Sequence, residues 1–446
     1  MLKPSSSPVQ SLAGDWGANA AVLTSTNIQH HHPDGVRLPA YSVYLDCIRA
    51  MAAFLVVAGH ARMLFFGAHT KAAMTATSPV GGTSGLSIPG LGSQAVMVFF
   101  VLSGFLVGGS AWRSVASASW SWKSYLSKRL TRLWIVLIPA LIAGACLDNV
   151  GRTFLGNIYS APAGQQMVLH DFPKQLTLTV FAGNVMFLQR ITVSSFGTNY
   201  ALWSLANEFW YYMAFPLLLL TFFVRSSWKR LVYGLLTAGI LIFVGKTIAA
   251  LFVVWLMGAA VARFPLKVPP NFQRVTTLLA WIQFLGVTVL LRIRPFYPLQ
   301  GDLLLGVSFS VLLYTLLHMR QPVKSLMFQR IGTTMASFSY SLYLFHLPML
   351  VFLTSLVNNP WHAWPKDGRH LTSAVLLVVV TYGYAYCCFW LFERNTDQLR
   401  HWLLGVLNSR QSLLAGYGAN IPLSSSEQSS EVLASRERMA FRQETS

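Results

Sequence analysis

Residues 45–60 read LDCIRAMAAFLVVAGH. The middle of this stretch, AMAAFLVVAG, is as apolar as a membrane helix must be. Yet Asp46 and Arg49 stand at one end of it and His60 at the other. An ionisable group inside a span costs roughly 3 kcal/mol even on the lenient insertion scale, so it tends to face a cavity or a partner. Arg49 and His60 are eleven positions apart. At ~100° and ~1.5 Å per residue, this puts them on one helix face about 16 Å apart. Asp46, one turn before Arg49, can pair with it. Taken alone, His60 also reads as a helix-end histidine dipping into the headgroups.

The rest of the chain supports the membrane reading. Of its 446 residues 54% are hydrophobic and only 11% charged, where a soluble chain carries about a quarter. Apolar runs suggest about ten transmembrane helices, near 43–60, 93–111, 133–149, 201–224, 231–245, 247–262, 276–293, 302–318, 334–356 and 372–392. The fold class expected is therefore all-α, a polytopic helix bundle. The run 176–189 is too short for a comfortable span and reads as a re-entrant or interfacial piece.

The net charge of +19 does not point to nucleic acid, because the basic residues collect in loops between apolar runs. With the N-terminus inside, the inner loops hold Arg113, Lys123, Lys128, Arg129, Arg132, Arg225, Lys229, Arg230, Arg263, Lys267, Arg274, Arg320, Lys324 and Arg330. The longer outer segments hold fewer, which favours an N-in, C-in topology. Residues 1–40 read as a loose polar cytoplasmic tail, 41–394 as the membrane domain, and 395–446 as a polar, disordered cytoplasmic tail. HHH at 30–32 reads as a solvated loop rather than a metal site. Cys47, Cys146, Cys387 and Cys388 match no zinc or disulfide spacing. No metal is expected.

Three further stretches put polar groups among apolar ones. GSQAVMVFFVLSGFLVGG (92–109) has Ser103-Gly104 in mid-span, suited to close helix packing. NYALWSLANEFWYYMAFP (199–216) carries Glu208 among Trp203, Phe209, Trp210, Tyr211 and Tyr212. The aromatics read as an interfacial belt or as sugar-facing rings. Glu208, placed near the outer side, needs an interhelical partner or a watery site. SFSYSLYLFHLPML (337–350) puts Tyr340, Tyr343 and His346 on one polar stripe, which interhelical hydrogen bonding alone would explain.

These stretches together resemble the acyltransferase 3 family of membrane acyltransferases. LDCIRAMAAFLVVAGH is similar to its first-helix signature, Arg, ten residues, then His. MVFFVLSGFLVGG resembles its FF-hydrophobic-SGF helix, and SWKSYLSKRLTRLWIVLIP its basic loop. ALWSLANEFWYYMAFP resembles its WSL-x-x-E-x-x-Y segment, and SFSYSLYLFHLPML its SYSLYL-x-H-x-P helix. The resemblance covers residues 41 to 394. Where many members have a polar residue after the acid, this chain has Phe209, and the short polar stretch 395–446 is not expected to form the esterase-like domain many members carry after the last helix.

The resemblance implies an integral membrane O-acyltransferase. It would move an acyl group, most readily acetyl, from cytoplasmic acyl-CoA to a hydroxyl of a carbohydrate such as an exopolysaccharide. His60 would be the essential histidine with Arg49 its companion, and Glu208 the acidic position, placing the acceptor or pairing with His60. Arg129 and Arg132, with Lys128, would hold the CoA phosphates. Trp203, Ser103, Tyr340 and His346 are expected along the substrate path, with Ser103 an alternative nucleophile. No bound cofactor is expected, since acyl-CoA is a co-substrate. The expected partners are a glycan or small hydroxyl-bearing acceptor, membrane lipid and the envelope polysaccharide machinery. The expected location is a bacterial inner membrane. A transporter or flippase would also bury Arg, His and Glu, but would show matched broken helices in two halves, and no such pairing is evident. A glycan polymerase would carry an Arg-rich outer loop, whereas 150–198 holds only Arg152, Lys174 and Arg190.

Overall fold

A computed structural model of the protein describes residues 40–67, 90–155, 159, 172–264, 268–319 and 325–400. The HHH run, Lys267, Arg320, Lys324 and nearly all of both tails lie outside the described residues. Among the described residues the chain is helical, with no strand. Residues from 395 onward form a separate unit, described as far as 400.

The helices are α1 (Ala40–Phe66), α2 (Leu91–Ala116), α3 (Trp122–Phe154), α4 (Leu178–Val185), α5 (Trp203–Phe223) and α6 (Ser227–Phe243). They continue with α7 (Gly245–Arg263), α8 (Gln273–Ile293), α9 (Pro298–Leu317), α10 (Leu326–Ser337), α11 (Ser339–Val357) and α12 (Gly368–Leu391). Eight of the described helical segments are long and apolar enough to cross a membrane, against the ten spans expected. The expected spans at 201–224 and 231–245 form helices, α5 and α6, that fall outside the eight; α6 has only 17 residues. The expected span 334–356 is broken at Phe338, where the chain leaves α10 and starts α11. The run 176–189 forms the eight-residue α4 and a turn, too short to cross.

Apolar side chains cover the outside of the bundle, as lipid contact requires. Leu278, Ile282, Leu285 and Val289 of α8 are exposed, as are Leu371, Val375, Leu376 and Val379 of α12. The interior holds Trp255, Tyr211, Phe100 and Phe345, all fully buried. Without a hydrophobic difference between lipid and core, close packing and hydrogen bonds must hold the helices together. The glycines of α2 and α7 meet that need. A Cβ on Gly104 would sit 2.9 Å from the Trp255 carbonyl carbon, and one on Gly258 2.8 Å from that of Val101. The α2 backbone widens into a π-turn over Gly104–Gly108 at this crossing.

Two prolines open hydrogen-bonding positions inside helices. A proline lacks the N–H that would bond the carbonyl four residues back. Pro216 thereby frees the Tyr212 carbonyl, which accepts from the Tyr125 hydroxyl at 3.0 Å. Pro348 frees the Leu344 carbonyl, which accepts from Asn199 Nδ2 at 2.7 Å.

Asn199 belongs to the segment joining α4 to α5, which is clamped at several points. Trp134 Nε1 donates to the Val185 carbonyl, Trp210 Nε1 to that of Phe187, and Gln189 Nε2 to that of Leu202, each at 2.9 Å. Asp148 accepts from the Thr198 N–H and hydroxyl, both at 2.8 Å. These bonds hold Phe187 and Arg190 at φ of 58° and 68°, which non-glycine residues rarely adopt.

Candidate active site

The face of α1 that carries Arg49 and His60 is turned to α11, and the two residues meet different parts of it. Arg49 Nη2 donates to Ser339 Oγ at 3.4 Å, and Nη1 lies 3.5 Å from Asp46 Oδ1, the pairing expected from their spacing. Ser339 and His346 are seven positions apart, about 10 Å along α11. His60 therefore stands well away from Arg49, as its position on α1 requires.

Around Arg49 lies a cluster of opposed charges. Asp46, Arg132, Glu393 and Glu208 all act on it electrostatically. Tyr340 lies within electrostatic range of Glu208, Glu393, Arg132 and Tyr212, and Tyr212 within range of Glu208, Arg129 and Arg132. Glu393 Oε2 accepts from the Ser341 N–H at 3.1 Å and from its hydroxyl at 2.6 Å. The Tyr340 hydroxyl donates to the Leu133 carbonyl at 3.3 Å. Arg129 lies over the Tyr125 ring at 5.6 Å, and among the described residues its buried Nε has no hydrogen-bond partner. Arg49 and Arg132 can share a low-dielectric interior because acids lie within range, Asp46, Glu208 and Glu393 of Arg49 and Glu393 of Arg132. Glu208 thus belongs with Arg49 and Arg132, at the Arg49 end of α1 and not at the outer side expected for it, because α5 packs its acid against α1 and α11 there. Pairing with His60, one of its two expected roles, is not what the fold produces: among the described residues the titratable group acting on His60 is His346.

His60 meets a different group of residues. Its Nδ1 lies 2.8 Å from His346 Nε2, with the ring centroids 5.1 Å apart and the planes 9° from parallel. That centroid separation is about the N···N distance plus two ring radii, so the imidazoles meet edge to edge in one plane. His346 is fully buried, and its Nδ1 lies 3.0 Å from the Leu342 carbonyl oxygen and 2.9 Å from that of Tyr343. His60 is half-buried, and the Tyr200 ring stands edge-on to it at 5.1 Å. Tyr200 is held there by its neighbours, since Thr198 is bound to Asp148 and Asn199 to the carbonyl freed by Pro348. The Tyr343 hydroxyl joins α11 to the same segment through the Ala201 carbonyl at 2.8 Å and to the start of α5 through Ser204 Oγ at 2.6 Å.

The remaining expected site residues are distributed as follows. Ser103 is buried, and its Oγ is engaged by Tyr212 at 3.2 Å and Trp255 Nε1 at 3.1 Å, which ties α2 to α5 and α7. Its contacts are those of an interhelical link, and neither histidine is among them. Trp203 lies under the Arg190 guanidinium at 5.0 Å. Phe209 stacks on Phe187 at 4.3 Å, so this apolar neighbour of Glu208 packs the clamped turn. Lys128 is exposed on α3, whereas Arg129 and Arg132 are half-buried. Among the described residues no three His, Cys, Asp or Glu side chains gather as a metal site.

Sequence reading missed Tyr200, Asn199, Asp148 and Glu393. A lone acid such as Glu393 at the end of the last span carries the same signal as Glu208. Tyr200 and Asn199 carry none, because their importance comes from where a loop lands.

The family model of the acyltransferase domain matches residues 42–394. The chain belongs to the acyltransferase 3 family. The matched region holds both the Arg49 cluster and the His60–His346 pair. Among curated proteins it resembles Acyltransferase MdmB of Streptomyces mycarofaciens, 29% identical over 188 residues, which is 42% of this chain and 40% of that one. The match thus spans less than half the length of that relative. No solved structure matches.

Proposed function

We propose that the protein transfers an acyl group, most readily acetyl, from acyl-CoA to a hydroxyl of an envelope carbohydrate. The observation that carries this reading is the division of labour along α1. A mixed-charge cluster at one end supplies arginines that suit an anionic donor, and a half-buried histidine at the other suits a proton acceptor. The N-in topology puts the Arg49 end at the cytoplasm, where CoA is found, and the His60 end towards the outer face of the cell membrane. Arg129 and Arg132 would hold the CoA phosphates, since guanidinium groups grip phosphate in a bidentate fashion. The pantetheine arm would carry the thioester up the bundle towards His60.

His60 acts as the general base. It takes the proton of the acceptor hydroxyl as the oxygen forms a bond to the thioester carbonyl carbon. The carbon–sulfur bond breaks, its electrons stay on sulfur, and the proton on His60 passes to that thiolate. An acyl ester and free CoA leave.

The test uses cells with wild-type protein, no protein, or His60→Ala at matched membrane levels. Ester-linked acyl groups on surface glycans are released by mild alkali and quantified. One ester present in wild type and lost in the other two supports the reading. An ester that survives in His60→Ala removes the base from it. No ester change in the deletion removes the glycan acceptor.

A further inference from the structure

His60 can serve as a base only if its exposed nitrogen carries a lone pair, and His346 decides this. A carbonyl oxygen accepts hydrogen bonds and never donates. His346 Nδ1 lies at 3.0 and 2.9 Å from two carbonyl oxygens, so it bears the hydrogen. In the neutral ring Nε2 is then an acceptor, and the 2.8 Å contact requires His60 Nδ1 to donate to it. With its hydrogen on Nδ1, neutral His60 has its lone pair on Nε2. The described residues give Nε2 no hydrogen-bond partner, and His60 keeps some exposure.

We propose that His346 is a positioning residue that locks the tautomer and ring plane of His60, leaving Nε2 as the base. The proposal rests on the O-acyl transfer reading and deepens it. The backbone of α11 plays the part a carboxylate plays in a catalytic triad, one histidine further away. When Nε2 takes the acceptor proton, the Nδ1–H stays directed at His346 Nε2. That contact stabilises the imidazolium without moving a heavy atom. When Nε2 returns the proton to the CoA thiolate, the pair is restored to its starting state. Burial of His346, with both Nδ1 acceptors on its own helix, keeps water from offering its ring another partner.

The experiment compares wild type with His60→Ala, His346→Phe and His346→Gln in the full-length protein, purified in detergent or nanodiscs. Acetyl-CoA is the donor, and released CoA thiol is read with the glycan whose ester wild type produces. His346→Phe fills the space without an acceptor, whereas His346→Gln can place an amide oxygen near the lost Nε2. The expected result is a fall in kcat on the order of 10²-fold or more for His346→Phe, since loss of the group orienting a histidine base costs up to ~10⁴-fold. KM for acetyl-CoA should change little, and His346→Gln should recover a large part of kcat.

A second readout is independent of turnover. In ¹⁵N-histidine-labelled protein, with His60 assigned by loss of its signals in His60→Ala, wild type should show an Nδ1–H, Nε2-lone-pair imidazole. His346→Phe should lose that pattern and His346→Gln should keep it. Wild-type kcat in His346→Phe, or an Nε2–H tautomer for His60 in wild type, overturns the proposal. Activity surviving in His60→Ala overturns the base itself, so the two failures are distinguishable.

Discussion

The crossing of α2 and α7 allows a sharp test of how this bundle is held. Gly104→Ala adds one methyl group at 2.9 Å from the Trp255 carbonyl carbon and closer still to its oxygen. Carbon atoms in contact sit about 3.5–4.0 Å apart, so the helices must separate by roughly 0.6–1 Å or more. The obstacle is backbone, which cannot rotate away as a side chain would. The strain falls beside the Trp255–Ser103 and Ser103–Tyr212 bonds, at 3.1 and 3.2 Å, which a shift of this size would break. Overpacking costs about 1–3 kcal/mol, and each buried hydrogen-bonding group left unpaired about 1–3 kcal/mol more. Together these give about 3 kcal/mol or more, a fall of several degrees in the unfolding midpoint for a chain of this size. Gly258→Ala, facing the Val101 carbonyl from the other helix, should behave alike. Gly239→Ala and Gly286→Ala are the controls, since a Cβ there meets nothing within 4 Å and alanine is the better helix former. The assay is thermal unfolding of purified protein in one detergent, read by loss of monodispersity on size exclusion. If Gly104→Ala melts with the controls, the close approach of α2 and α7 is wrong, and with it the placing of Ser103.

Other outcomes follow from the two ends of the site. Asn199→Ala leaves the Leu344 carbonyl unpaired and frees the segment that holds Tyr200 beside His60. It should cost about 1–3 kcal/mol, seen as a lower midpoint, and should reduce turnover as well. Asp148→Ala removes both anchors of Thr198 and should have the same two effects, while Asp148→Asn should retain part of each. Arg132→Ala should raise KM for acyl-CoA about tenfold or more, by loss of a charge-assisted contact worth roughly 1.5–3 kcal/mol, whereas Lys128→Ala, on the exposed side of α3, should move it little. Glu208→Gln should disturb donor use rather than the His60 tautomer, and an unchanged KM for acyl-CoA would argue against its place beside Arg49 and Arg132.

Whatever depends on position along one helix is legible in the order of residues. Apolar runs placed the helices, and the spacing of Arg49 and His60 put them on one face of α1 at opposite ends. The step from Asp46 to Arg49 yielded an ion pair. Tyr340, Tyr343 and His346 share a stripe because of α-helical periodicity alone. The ordered motifs carried the family. Tertiary structure alone decided what each face meets. His346, 286 positions from His60, became its hydrogen-bond partner. Glu208 joined Arg49 instead of His60, and Phe338 split one expected span into two helices. Asn199 found the carbonyl that Pro348 had freed. Period and hydropathy fix a residue's direction on its own helix, but contacts between helices depend on how the helices are arranged around one another. That arrangement is set by close contacts such as Gly104 against Trp255, which local pattern does not encode.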